Sequence, residues 1–251
     1  MLTLRNVDVS TSGRELGHAT FRHCGTAGGG DAWAVGSTGY TTAPNQRTTV
    51  MHWDGTAWSA VTSPSPNGTQ NLLFDVDGVA ADDLWAIGGL GHDGYGGDPV
   101  APLALRWNGT AWSQVSLPSA GSGFTIVKGD DVAALASNDV WIVGSAFSFT
   151  QLREVPYYFH WTGGGWQHGA MTVGGRFFGV AAVSSSQVYA VGTSLVARWT
   201  GSTFVQESIT VPGGLSDASG VAGTGHVWAV GYTYDLGLSQ LRTLGVSTTD
   251  G

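Results

Sequence analysis

The chain repeats itself. An aromatic-apolar-apolar-glycine element recurs five times, at Trp33–Gly36, Trp85–Gly88, Trp141–Gly144, Tyr189–Gly192 and Trp228–Gly231, with spacings of 52, 56, 48 and 39 residues. A period near 50 marks an array of one supersecondary unit, which cannot bury its apolar faces alone and so stacks on its neighbours. A second element follows the first four copies: HWDGTAW from His52, RWNGTAW from Arg106, HWTGGGW from His160 and RWTGSTF from Arg198. Asp-Gly or Asn-Gly between two β-favouring runs predicts a tight hairpin with both turn residues at positive φ. Ahead of each aromatic lies a small-residue apolar run, such as FDVDGVAADDLW or FFGVAAVSSSQVY, ending in a polar turn.

Each unit therefore reads as strand A, turn, strand B, loop, strand C, turn, strand D. Four strands in about 50 residues make one blade of a β-propeller. Five copies predict an all-β, five-bladed β-propeller with four-stranded antiparallel blades, filling residues 1–251 as a single domain. The 42% hydrophobic residues supply a core, and Glu, Lys, Arg and Gln are too scarce for a helical bundle. The fifth repeat reaches Asp250-Gly251, the counterpart of Asp54-Gly55, without its strand D. Leu2 to Val9, with alternating apolar residues, is expected to supply that strand and remove the open edge of the ring. The alternative leaves both terminal segments as unpaired linkers.

These repeats resemble the Trp- and Gly-rich propeller repeats of bacterial proteins, and the blade count is similar to that of the five-bladed tachylectin-type lectins. The resemblance runs from about Phe21 to Gly251. The lectin likeness implies N-acetyl sugar binding in a pocket on every blade, although that family's binding residues do not match here. The DGTAW segments also resemble the Asp-box of sialidases, one residue short between Asp and Trp, a motif that is structural in its own family.

A formal net charge of −8 disfavours nucleic acid, whose phosphates need clustered cations. No run of 18 apolar residues exists to span a membrane as a helix. The lone Cys24 excludes an intramolecular disulfide and a Cys-cluster metal site, and reads as a buried, inert thiol. The N-terminus carries no charged-then-apolar leader, which suggests a cytoplasmic protein, or a secreted one whose leader precedes this numbering. GxSxG, HExxH and a Gly-rich loop opening a helix are all missing.

The recurring tryptophans read as core, each ring burying roughly 150–250 Å² between sheets. His52, Arg106, His160 and Arg198 share one position in the repeat, so a tip bonded to a neighbouring blade is expected rather than a metal role. Function in repeat folds lies where repeats differ. The segments between strands B and C are unequal: 15, 17, 15 and 5 residues in blades one to four. The first three are expected to raise one rim of the face carrying the loops. They hold Tyr40, Asn45 and Arg47; then His92, Asp93, Tyr95 and Asp98; then Phe147, Phe149, Arg153, Glu154, Tyr157 and Tyr158. Of these His92, Tyr95, Tyr157 and Tyr158 are the candidate ligand-binding residues, since ring faces stack on a sugar or an aromatic molecule while polar groups bond its edge. The alternative is an ordinary solvated loop. HDGYGGD could hold a divalent metal such as Ca²⁺ through oxygen ligands, although it lacks EF-hand spacing. No cofactor is required.

Strand A gives the sharpest constellation. Ten residues before each aligned aromatic stand His23, Asp75, Asp131, Gly179 and Ala218, with Asp130 and Asp217 one residue earlier and Asp77 two later. These positions are expected to converge at one mouth of the central channel. His23, Asp75 and Asp131 would form a general acid/base group or an O,O,N metal site, or else cap strands and hold water. The sequence thus predicts a single site, between the axis and blades one to three, for a small molecule or glycan. An enzyme (hydrolase, lyase or cyclase) using His23, Asp75 and Asp131, and a scaffold for a protein partner, are the alternatives.

Overall fold

A computed structural model describes residues 22–25, 30–38, 46–66, 68, 70–91, 99–208, 213–235 and 240–248. Among them nineteen strands form five antiparallel sheets, each with its strands in chain order. Sheet one holds β1 (Arg22–Gly25), β2 (Ala32–Thr38), β3 (Arg47–Trp53) and β4 (Trp58–Val61). Sheet two holds β5 (Asn71–Ala80), β6 (Asp83–Leu90), β7 (Ala101–Trp107) and β8 (Trp112–Val115). Sheet three holds β9 (Phe124–Ala136), β10 (Asp139–Ser148), β11 (Arg153–Trp161) and β12 (Trp166–Ala170). Sheet four holds β13 (Phe177–Ser184), β14 (Gln187–Gly192), β15 (Leu195–Trp199) and β16 (Phe204–Gln206). Sheet five has three described strands, β17 (Gly214–Gly220), β18 (Val227–Asp235) and β19 (Gln240–Ser247). The chain is all-β, and its first strands β1, β5, β9, β13 and β17 pack side by side in sequence order. The expected closing strand at Leu2–Val9 lies outside the described residues.

The repeated aromatic is the fastener between sheets. Trp33 lies between Trp107 and Trp112 of sheet two, with ring centroids 4.9 and 5.6 Å away. Trp85 meets Trp161 and Trp166 of sheet three, and Trp141 meets Trp199 and Phe204 of sheet four. A strand-B aromatic thus inserts into the aromatic pair flanking the C–D turn of the next sheet. Its other face is covered from its own sheet by the residue opposite it on strand C. His52 stacks on Trp33, His160 on Trp141, and the Arg106 guanidinium sits 5.1 Å over Trp85. The tips of these residues bond within their own sheets, to Asp31, Asp139 and Asp83, each two residues before the aromatic. The expectation of a bond to a neighbouring blade is corrected by this register: an Asp at the start of strand B already faces the strand-C tip.

The glycine closing each element has an equally local cause. A Cβ on Gly88, Gly144, Gly192 or Gly231 would stand 1.9–2.2 Å from the carbonyl oxygen of Leu72, Lys128, Arg176 or Gly214, on strand A or, for Arg176, just before it. Beside this close approach strand A bulges in sheets two to five, leaving Phe74, Asp130, Phe178 and Ser216 outside the register. The C–D connections differ from the predicted two-residue turn. Trp53 pairs Trp58 across four residues, and the Asp54 carboxylate accepts from the Thr56 and Ala57 N–H groups at 2.8 and 2.9 Å. Asn108 repeats this with Thr110 and Ala111. In these two turns the side chain performs the turn, so only the glycine, Gly55 or Gly109, takes positive φ.

Candidate functional site

Four of the first strands, β5, β9, β13 and β17, line a polar space. A cavity of about 400 Å³ is lined by Asp75 and Asp77 of β5, Asp131 of β9, Val180–Ala182 of β13 and Asp217–Gly220 of β17. Its carboxylates bind strand to strand. Asp75 Oδ2 accepts from the Val132 N–H at 3.2 Å, Asp77 Oδ2 from Ala134 at 2.8 Å, and Asp131 Oδ2 from Val180 at 2.7 Å. Sheets two and three thus each hold the first strand of the next sheet through acidic side chains. Sheet four breaks the series for steric reasons: a Cβ on Gly179 would stand 2.6 Å from the Ala218 nitrogen. There β13 and β17 come too close for any side chain between them.

Burial pushes the Asp75 carboxyl up to about 6, helped by the charges of Asp77 and Asp217. Asp131 is raised well above the usual carboxylate range, first by burial and then by the neighbouring charge of Asp75. The two carboxyls are hydrogen-bonded to each other. Like charges this close cannot both ionise cheaply, so Asp131 keeps the proton and donates to Asp75. Nearby, Asp130 pairs with Arg176 across sheets three and four, and Arg176 lies 4.8 Å over Phe178.

Strand pairing changes the membership of the constellation. Asp75, Asp131 and Gly179 stand opposite Ile87, Val143 and Val191, two residues past each aromatic. In sheet five the residue opposite Val230 is Asp217, and in sheet one the residue opposite Val35 is Arg22. His23 and Ala218 are therefore one place out of line. In sheets two to four the A and B strands close over two residues, with a register shift just before the turn. In sheets one and five six residues, 26–31 and 221–226, separate the last paired positions. The ring of equivalent positions reads Arg22, Asp75, Asp131, Gly179, Asp217. Nor do these positions lie at a strand start: Asp75 is fifth of ten residues in β5, and Asp131 eighth of thirteen in β9. The described lining comes from sheets two to five rather than one to three.

The loop candidates fare differently. His92 and Tyr95 lie outside the described residues. Tyr157 and Tyr158, expected on a loop, belong to β11 and are only 2% and 6% exposed. The hairpin of β10 and β11 continues to Ser148 and Arg153, so most of the supposed loop is ladder. Tyr157 gives its hydroxyl to a 2.6 Å hydrogen bond with His168 Nδ1, and Tyr158 packs on Trp199 and Phe204. Among the described residues no group of three His, Cys, Asp or Glu has the arrangement of a metal site, and no helix is long and apolar enough to cross a membrane.

No family model and no curated protein sequence matches the chain. Its structure is similar to those of β-propeller proteins. It matches "Structure of YjhT" at 10% identity over 86% of this chain and 77% of that one, with a TM-score of 0.51. The extracellular domain of the putative hybrid two component system BT4673 from B. thetaiotaomicron matches at 10% identity over 83% of this chain, with a TM-score of 0.50. YCF48 bound to D1 peptide matches at 17% identity over 84% of this chain, with a TM-score of 0.49. The chain spans 60% of the length of the YCF48 chain and 26% of the BT4673 one. At these identities the likeness concerns the fold alone.

Proposed function

We propose that the protein is a five-bladed propeller, its fifth blade completed by the N-terminal strand, that binds one small polar molecule, most simply a carbohydrate, in the central cavity. The observation that carries this reading is the cavity itself. About 400 Å³ falls within the range of small-ligand sites. Asp75 and Asp217 offer carboxylate oxygens to hydroxyl donors, while Gly179, Ala218, Ser219 and Gly220 leave room beside them. Asymmetry favours a single site, because Gly179 interrupts the carboxylate series and Arg22 takes the fifth place. The enzymatic alternative draws on the shared proton: an Asp75–Asp131 pair that exchanges a proton near pH 6 is poised to act as acid and base.

Titration calorimetry against a panel of neutral and N-acetylated monosaccharides tests the binding reading. Asp217→Asn is expected to weaken the bound sugar at least tenfold while moving Tm by only a few degrees. A stoichiometry near five per chain, or affinity untouched by Asp217→Asn and Asp75→Asn alike, would overturn the single cavity site. Turnover of any screened substrate that is lost in Asp131→Asn would favour the enzyme instead.

A further inference from the structure

The four junctions between consecutive sheets bury the same face of strand B. Val35, Ile87, Val143 and Val191, two residues past the repeated aromatic, are at most 2% exposed. The fifth sheet breaks the rule. Its Val230 is 51% exposed and Trp228 47%, whereas Trp33, Trp85 and Trp141 are buried. Tyr232 and Tyr234 continue the exposed row at alternate positions, and Leu241, opposite Tyr234 on β19, extends it. The other face of the sheet is not at fault: Val227 and Ala229 pack on Val183 and Val191 of sheet four. The exposed row is thus one continuous face of aromatic and aliphatic side chains, of the kind that marks an interaction surface.

A matching socket exists at the other end of the array. Trp53 and Trp58 flank the C–D turn of sheet one with ring centroids 5.8 Å apart and planes tilted 48°. Trp107–Trp112 and Trp161–Trp166 have nearly the same geometry, at 5.8 and 5.4 Å with tilts of 41° and 55°. Those two pairs each receive the strand-B aromatic of the preceding sheet, Trp33 and Trp85. Around a ring, the sheet preceding sheet one is sheet five. The two ends also approach each other at the axis. β17 lines the same cavity as β5, the charge of Asp217 acts on Asp75, and β1 packs beside β5.

We propose that the face formed by Trp228, Val230, Tyr232 and Tyr234 docks on the Trp53–Trp58 pair of the same chain, with Trp228 seated as Trp33 and Trp85 are. This inference rests on the ring reading above and adds the side chains that latch it. The junction differs from the other four in joining segments distant in sequence, so it is the place where the ring opens.

Two measurements test the latch. In a Cys24→Ser background, Trp228→Cys and Trp53→Cys together should be joined by a short bis-maleimide within one chain, giving a monomer of altered mobility on a denaturing gel. A cross-linked dimer would assign the face to a second copy, and no cross-link would leave sheets five and one apart; either overturns the proposal. Thermal melting of Trp228→Ala, Trp53→Ala and the double variant should show coupling, the double losing clearly less than the sum of the singles. Additive losses, or unchanged melting in the singles, would also overturn it. Sugar binding is measured separately by calorimetry, so a failed latch and a failed ligand site are told apart.

Discussion

Raising the pH from 4 to 7 should destabilise this protein, against the usual behaviour of carboxylates that are ion-paired in the native state. Asp75 binds its proton more tightly folded, at about 6, than at the ordinary 3.8. Between those values the native state holds more protons than the unfolded chain, and stability falls as the pH rises. At 1.36 kcal/mol per pH unit the loss from Asp75 is about 3 kcal/mol. Asp131, raised well above the usual carboxylate range, acts in the same direction and adds to the fall. With an m-value of about 3 kcal/mol/M in urea, the unfolding midpoint should drop by at least about 1 M across this range. Tryptophan fluorescence during urea unfolding at several pH values gives the measurement. Asp131→Asn is the control. Its amide oxygen can still accept from Val180 N–H, and its amide nitrogen can still donate to Asp75, but no second carboxyl remains to share a proton. The pH dependence should become shallower in that variant by the share of Asp131, while the part owed to the burial of Asp75 remains. A wild-type midpoint that is level or rises from pH 4 to 7, or an Asp131→Asn slope equal to the wild type's, would refute the shared proton.

Gly144→Ala should cost roughly 1–3 kcal/mol in urea unfolding, as overpacking does, because the new Cβ would stand 2.2 Å from the Lys128 carbonyl oxygen. Trp141→Ala should cost about 3–5 kcal/mol, since it empties the contact with Trp199 and Phe204 and leaves His160 without its stacking partner.

The repeat alone determined the order of strands and, among the described residues, the five sheets and the three strands of the fifth, because each of these is written within one unit. A Trp, two apolar residues and a Gly carry their own alternation, and the Asp54 and Asn108 turns are built from neighbours in sequence. Pairing between strands was not legible in the same way. Aligning the repeats without gaps selected His23 and Ala218; only the ladder, six residues wide at the A–B connection in sheets one and five, placed Arg22 and Asp217 there instead. The bulge that drops Phe74, Asp130, Phe178 and Ser216 from the register leaves no periodic mark, since one extra residue in a strand changes a partner and not a pattern. Tyr157 and Tyr158 read as loop residues because the distance from Gly144 to His160 is long, and a long hairpin and a long loop have the same length in sequence. Tertiary structure also decided the state of the carboxylates. The alignment of repeats already set Asp75 and Asp131, 56 positions apart, at equivalent places on neighbouring first strands, but nothing along the chain says that they share a proton. β5 and β9 pack side by side, and burial of the two carboxyls there makes the sharing favourable.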